Sequence, residues 1–266
     1  MVDSLDVYRI LYRVAGEAAG LVRERFHDEG SRVMVAEDTM RIDLESEEYI
    51  IDSLRREGVS GVFIGEETGV SVYPGDYKIV IDPLDGSRNY KRGIPWFSIS
   101  IAVAPRDGRL RDVFAGIVYP PIGLEPIGFA RGSGCFRGLV RTSPLEGGSE
   151  YVFVYVDNPE AYRLLGMGLP RLKGRVVRSM GSAALEIALT GIGVGYAFID
   201  LRAKLRVVDV AAATGVVWEC GGHVHMAPGE EIDSPLEGVE RFRMVNASLD
   251  PAFLEYWDSI GAREAL

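Results

Sequence analysis

The sequence predicts an α+β N-terminal half followed by an α/β C-terminal half, on three observations. Residues 4–27 carry apolar side chains at helical spacing, the stretches 97–104 and 112–119 alternate like paired strands, and beyond residue 149 strand and helix signals take turns. In the first helix Val7, Leu11, Val14, Ala18, Val22 and Phe26 recur at three- and four-residue steps, with Arg9, Arg13, Glu17, Arg23 and Glu24 between them. A second helix is predicted over 43–57, and its acidic first turn (Asp43, Glu45, Glu47, Glu48) suits the positive end of a helix dipole. Val62-Phe-Ile-Gly65 and Lys78-Ile-Val-Ile81 read as short strands, each running into acidic residues. Arg106-Asp-Gly-Arg109 is the turn between the alternating stretches, and a further strand pair is expected over 127–138. Thr142 to Ser149, with its Ser-Pro and Gly-Gly, marks a boundary between an N-terminal domain (1–145) and a C-terminal domain (146–266). Beyond it, strands are expected at 151–156, 175–179, 194–199, 223–226 and 242–246. Helices are expected at 159–166, 182–190, 209–219 and 251–265, with no internal repeat.

The 266 residues suffice for one large or two closely joined domains with a substantial core. Asp and Glu outnumber Lys and Arg by 39 to 29, which argues against a nucleic-acid partner, since such partners need a basic face. No apolar run approaches the roughly 20 residues that cross a bilayer. The start Met1-Val-Asp-Ser-Leu-Asp lacks the basic and apolar segments of a signal peptide, so a cytoplasmic protein without a membrane partner is expected. Cys135 and Cys220 stand far apart and outside any CxxC pattern; two reduced thiols are expected rather than a disulfide. His27, His223 and His225 are too few for a histidine-rich metal site. His223-Val-His225 reads as part of a strand with both rings on one side, and a structural role is expected for the pair.

The most informative segment is Lys78-Ile-Val-Ile-Asp82-Pro83-Leu84-Asp85-Gly86-Ser87. An apolar strand delivers Asp82 to its C-terminal end, Pro83 turns the chain, and Asp85 follows within the turn. Two carboxylates so close repel each other unless both are hydrogen-bonded, one is protonated, or a cation sits between them. Hard oxygen ligands in a turn suit Mg²⁺, which takes few carboxylates and fills its shell with water and substrate phosphate oxygens. Gly86-Ser87 then opens a helical turn whose free N–H groups could hold a phosphate. Alone, the segment reads equally as a surface Asp-Gly turn. In Phe63-Ile-Gly65-Glu66-Glu67-Thr68 a strand again runs into acids, and pairing with the strand before Asp82 would bring Glu66 or Glu67 beside it. In Leu205-Arg-Val-Val-Asp209-Val-Ala-Ala-Ala, Asp209 N-caps or opens an alanine-rich helix that ends at Gly221-Gly222.

Together these segments resemble the inositol monophosphatase family, over about residues 5–265. Gly65-Glu66-Glu67-Thr68 is similar to its GEE motif, Asp82-Pro-Leu-Asp85-Gly86-Ser87 to its DPxDG(T/S) signature, and Asp209 through Gly222 to its WDxA…EAGG segment. Thr39-Met-Arg-Ile-Asp43 and Arg178-Ser-Met-Gly181-Ser182-Ala-Ala resemble two further stretches. Val208 departs from the family's tryptophan and Arg88 from a small hydroxyl residue. The basic run Asp200-Leu-Arg202-Ala-Lys204-Leu-Arg206 is more like archaeal members with dual inositol monophosphatase and fructose-1,6-bisphosphatase activity.

The resemblance implies a layered α-β-α-β-α sandwich and a Mg²⁺-dependent phosphomonoester hydrolase that uses metal-activated water on inositol-1-phosphate, fructose-1,6-bisphosphate or both. It implies two to three Mg²⁺ per site, with Mn²⁺ as a substitute. One ion would be held by Glu66, Asp82 and the Leu84 carbonyl, a second by Asp82, Asp85 and Asp209, and Glu67 would assist more weakly. Asp43 and Ser87 would orient the attacking water and take its proton, and the Gly86 and Ser87 amides would support the phosphate. Gly181, Ser182 and Asp200 would contact a small phosphorylated sugar or polyol, and Arg202, Lys204 and Arg206, on one face of an extended segment, would bind a second phosphate. A homodimer is implied as well. The alternatives are a 3′-phosphoadenosine 5′-phosphate or NADP phosphatase of the same superfamily, and a non-catalytic binding protein on this fold.

Overall fold

Strand alternation decides the architecture, because both sheets of the protein bury both of their faces. The computed structural model describes residues 3–36, 39–146, 148–227, 229–237 and 241–262. The first part of the chain gives helices α1 (Ser4–Glu24) and α2 (Arg41–Arg56), strands β1 (Gly61–Gly65), β2 (Gly69–Val72) and β3 (Tyr77–Asp85), and the short helix α3 (Ser87–Lys91). It continues with β4 (Ser98–Pro105), β5 (Ala115–Tyr119), β6 (Ile127–Ala130), β7 (Gly134–Arg137) and β8 (Val140–Thr142). These strands form one sheet in the order β2-β1-β3-β4-β5-β6-β7-β8, antiparallel except for the β1–β3 pair. The rest gives β9 (Tyr151–Tyr155), α4 (Pro159–Gly168), β10 (Val176–Arg178), α5 (Ala183–Gly191), β11 (Ala197–Asp200) and α6 (Val207–Glu219). Then come β12 (His223–Ala227), β13 (Glu230–Glu231), β14 (Val245–Ser248) and α7 (Pro251–Ala262). The second sheet has the order β10-β9-β11-β14-β12-β13.

Along β3 and β4, Ile79, Ile81, Ile99, Ile101 and Val103 face α1 and α2, while Val80, Ala102 and Ala104 face the other way, toward α5 and α6. In the second sheet Phe153, Tyr155 and Phe198 join that same central core, while Val152, Val154, Ala197 and Ile199 pack under α4 and α7. The result is five layers, α-β-α-β-α, as the family resemblance implied. α6 in the middle is almost wholly apolar on all sides, as a helix between two sheets must be.

Several expectations need correction. β2, β8 and β13, at 4, 3 and 2 residues, are too short to show a period, and the alternation did not predict them. The strand expected at 242–246 lies at 245–248, because Phe242 instead donates its N–H to the Leu205 carbonyl, outside the sheet. α6 begins two residues early, so Asp209 is not its N-cap; it sits in the first turn and accepts the N–H of the N-cap residue Arg206. The last helix was expected to reach 265, and residues 263–265 lie outside those described. The cysteines are not reduced thiols: Cys135 on β7 and Cys220 at the end of α6 form a disulfide, with Cα atoms 5.7 Å apart. Their separation of 85 residues hid a pairing that exists only because α6 lies across the sheet.

Candidate active site

The acids meet because β1 and β3 run parallel. Gly65 is paired with Ile81, so Glu66, just past the end of β1, comes beside Asp82, which is still paired with Ser100 on β4, and the Glu66 N–H donates to the Ile81 carbonyl. Of the two glutamates it is Glu66 that faces Asp82; Glu67 turns toward α2 and accepts the Thr39 hydroxyl. After Asp82 the ladder to β4 is interrupted, and the chain turns through Pro83. Leu84 donates its N–H to Asp82 Oδ1 at 3.0 Å. Asp85 is held from the other half of the chain: its Oδ2 accepts the Ser182 hydroxyl at 2.6 Å and the Ala184 N–H at 2.8 Å, at the start of α5. Gly86 adopts φ +97°, which a Cβ would strain, and so launches α3 directly after the acids. Asp209 arrives from the first turn of α6.

Burial and mutual repulsion dominate this cluster. Asp82 is 1% exposed; burial and the carboxylates of Glu66, Asp85 and Asp209 push its carboxyl well above the ordinary range. Burial likewise raises Asp85 to about 7 and Asp209 to about 6, the latter against the opposing pull of Arg206. That guanidinium bonds Glu66 and stands 3.6 Å from Asp209. The crowding leaves more negative charge than one arginine offsets, and all the donors are hard oxygens. Divalent cations of the Mg²⁺ type fit such a set.

Two cavities, of about 570 and 220 Å³, open over the acids and share Glu66, Asp85, Ser87, Gly181 and Asp209 in their walls. Asp82, Leu84 and Gly86 line the smaller one, and Glu67 the larger. Ser182 and Asp200 are buried and line neither. Asp200 is clamped by Arg202, through its backbone N–H and its guanidinium, with Nη2 2.6 Å from Oδ2. The segment 201–206 is not the extended face expected, since Ala203 adopts φ +56° and bends it. Arg202, Lys204 and Arg206 all still line the cleft, but each is tied to a carboxylate, of Asp200, Asp157 and Glu66 respectively.

Asp43 lies on α2 and is 1% exposed. Its Oδ2 accepts the Met40 N–H at 2.7 Å, its Oδ1 is buried with no hydrogen-bond partner among the described residues, and burial raises its carboxyl to about 7. It is not hydrogen-bonded to Ser87, which lines both cavities.

Three features escaped the sequence reading. Glu47 is fully buried and accepts the N–H groups of Glu67 and Thr68, fixing the acidic loop; a Cβ on Gly65 would stand 2.0 Å from Glu47 Oε1. The signal was available: Asp43 and Glu47 fall in one stripe with Ile50 and Leu54 on the second helix, where acids have no place unless they are used. Lys91 follows Arg88 by one helical turn, and both line the larger cavity. Arg241 lines it too, and no local pattern pointed to it.

Residues 3–256 match the inositol monophosphatase family. An inositol-1-monophosphatase of Aeropyrum pernix is 42% identical over 259 residues, 95% of this chain and 96% of its own. A fructose-1,6-bisphosphatase/inositol-1-monophosphatase of Archaeoglobus fulgidus is 30% identical, covering 95% and 98%. Among solved structures, the extragenic suppressor protein suhB from Bartonella henselae shares the fold, with a TM-score of 0.80 at 22% identity over 96% of this chain and 98% of that one. Matched at this identity along nearly its whole length, the chain belongs to the inositol monophosphatase family and is a metal-dependent phosphoric monoester hydrolase.

Proposed function

We propose that the cleft hydrolyses both a polyol monophosphate of the inositol-1-phosphate kind and a sugar bisphosphate of the fructose-1,6-bisphosphate kind. The observation that carries this is the charge layout: an acidic floor beneath walls that bring six cationic side chains to one cleft. Of these, Arg88, Lys91 and Arg241 make no salt bridge among the described residues, which leaves them for a second phosphate. The Aeropyrum pernix relative is named for the monophosphate reaction alone, and the Archaeoglobus fulgidus relative for both.

Glu66, Asp82 and the Leu84 carbonyl would hold one Mg²⁺ and Asp82, Asp85 and Asp209 another, with Glu67 supporting a weaker third and Mn²⁺ a substitute. Bound there, the ions would neutralise phosphate charge and lower the pKa of water. Asp43, with its free Oδ1 and a carboxyl raised toward neutrality, would take the proton of the attacking water. The Ser87 hydroxyl would orient that water, and the Gly86 and Ser87 amides would face the phosphate oxygens at the mouth of α3. Gly181 would meet the polyol; Ser182 would act by holding Asp85, and Asp200 by holding Arg202.

The same reading takes 1–145 and 146–266 as two domains that close this cleft between them, in a cytoplasmic homodimer. Phosphate release from inositol-1-phosphate and fructose-1,6-bisphosphate, with and without Mg²⁺, tests the core claim. Lys91→Ala should lower kcat/KM for the bisphosphate by about ten- to a hundredfold, the worth of one charge-assisted contact, and leave the monophosphate nearly unchanged. Equal losses on both substrates, or no bisphosphate hydrolysis at all, would remove the dual-substrate reading.

A further inference from the structure

At the far end of α6 from Asp209, roughly 15 Å along the helix at 1.5 Å per residue, a second group of ligand-type side chains converges. His223 and His225 project from one face of β12, and Glu231 stands opposite His225 on the edge strand β13. One ligand atom from each of the three lies within 4.8 Å of the other two. His223 Nδ1 is 2.7 Å and His225 Nε2 3.8 Å from the same oxygen, Glu231 Oε1.

The groups around them fix their aim. Asp258 on α7 binds His225 Nδ1 at 2.6 Å, which turns Nε2 toward Glu231. Asp258 is itself held by the Gly229 N–H. The other oxygen of Glu231 accepts Trp218 Nε1 at 3.1 Å and the Val224 N–H at 3.4 Å, leaving Oε1 for the histidines. A carboxylate behind a ligating imidazole is the arrangement that orients histidine at metal sites. A cavity of about 400 Å³, lined by Arg111, Trp218, Gly222, His223 and Glu231, opens the cluster to solvent.

We propose that His223, His225 and Glu231 form a second metal site, separate from the carboxylate centre, for a divalent transition ion of the Zn²⁺ class. Two imidazoles and one carboxylate suit Zn²⁺, Co²⁺, Ni²⁺ or Cu²⁺, whereas Mg²⁺ prefers oxygen ligands alone. Ligands around a tetrahedral ion with bonds of about 2.0–2.1 Å stand roughly 3.4 Å apart. The widest edge of the cluster would therefore close by at most about 1.4 Å, and the His223–Glu231 hydrogen bond would give way to the ion. Three protein ligands leave a further position for water from the cavity. The ion would pin the edge strand β13 to β12.

The test uses the full chain in saturating Mg²⁺, which occupies the carboxylate centre, titrated with Cu²⁺ and read by electron paramagnetic resonance. The carboxylate centre has no histidine, so imidazole-nitrogen coupling reports the second site. One equivalent with coupling to two nitrogens is expected, together with a Zn²⁺-dependent rise in melting temperature in the same Mg²⁺ background. His223→Ala, whose side chain is 43% exposed, should weaken binding at least tenfold, and Glu231→Gln, which keeps an acceptor for Trp218, should weaken it also. Both variants should keep their Mg²⁺-dependent phosphate release. Absence of nitrogen coupling in the wild type, or binding equal in wild type and both variants, would leave the three residues a hydrogen-bonded network and overturn the proposal.

Discussion

The floor and the walls of the cleft handle charge in opposite ways. On the floor Asp82 is surrounded by Glu66, Asp85 and Asp209, and its hydrogen bond from the Leu84 N–H does not cancel their repulsion. On the walls Arg202 and Lys204 each meet a carboxylate of their own, Asp200 and Asp157. Arg206 joins the two regions through Glu66 and Asp209. The floor is thus built to receive cations from outside, while much of the wall is already neutralised. In the proposed reading an anionic substrate is drawn by what is left over: the incoming ions and the wall cations that make no salt bridge among the described residues.

Asp82→Asn attacks this difference most directly. It should reduce turnover by several orders of magnitude at saturating Mg²⁺ while the metal-free protein melts no lower, because repulsion is relieved. A folded variant with near-normal phosphate release would show that the floor does not need its bridging acid.

Next in size is the wall pair with the least solvent. Asp200 is 1% exposed, and Arg202 also lies over the Tyr155 ring at 4.2 Å. Arg202→Ala would strand a buried carboxylate and should cost about 3–5 kcal/mol of stability. Chemical denaturation measures this, and a loss below 1 kcal/mol would mean that solvent reaches Asp200 and that the walls are not compensated from within.

The floor should also leave a signature in pH. Burial raises Asp85 on the floor to about 7 and Asp209 to about 6, and does the same to Asp43 on α2, to about 7. Raised folded-state values mean that these acids favour the fold when protonated. Their contribution is complete below about pH 4, the unfolded range, and is lost as pH rises through about 6 to 7. The melting temperature of the chelator-treated protein should accordingly fall across that window, and millimolar Mg²⁺ should flatten the fall by stabilising the ionised floor. Parallel curves with and without Mg²⁺ would contradict a preformed cation site.

The smallest effect belongs to the most exposed wall pair. Lys204 and Asp157 are 2.6 Å apart with side chains 51% and 34% exposed, so Lys204→Ala should change stability by under about 1 kcal/mol. A larger loss would show that exposed and buried wall pairs are not distinct.

What the sequence determined by itself was everything carried by short-range order. Period-3.6 and period-2 patterns placed α1, α2 and β3 to β7 within a few residues, because apolar burial imposes those spacings directly on the chain. The acids at 66, 85 and 209 were legible because each ends a strand or starts a helix, and Asp82 because Pro83 breaks the ladder directly after it, where side chains are free for chemistry. Tertiary structure alone decided what depends on which elements become neighbours. It chose Glu66 over Glu67 through the parallel register of β1 and β3, and joined Cys135 to Cys220 across 85 residues. It brought Arg241 to the cleft and aimed His223, His225 and Glu231 at one point. It also turned Asp200 away from the cleft and onto Arg202, and bent the basic segment at Ala203, whose backbone is left-handed. Such pairings are fixed by packing between distant segments, whose free energy is set by the whole core and leaves no period in the sequence.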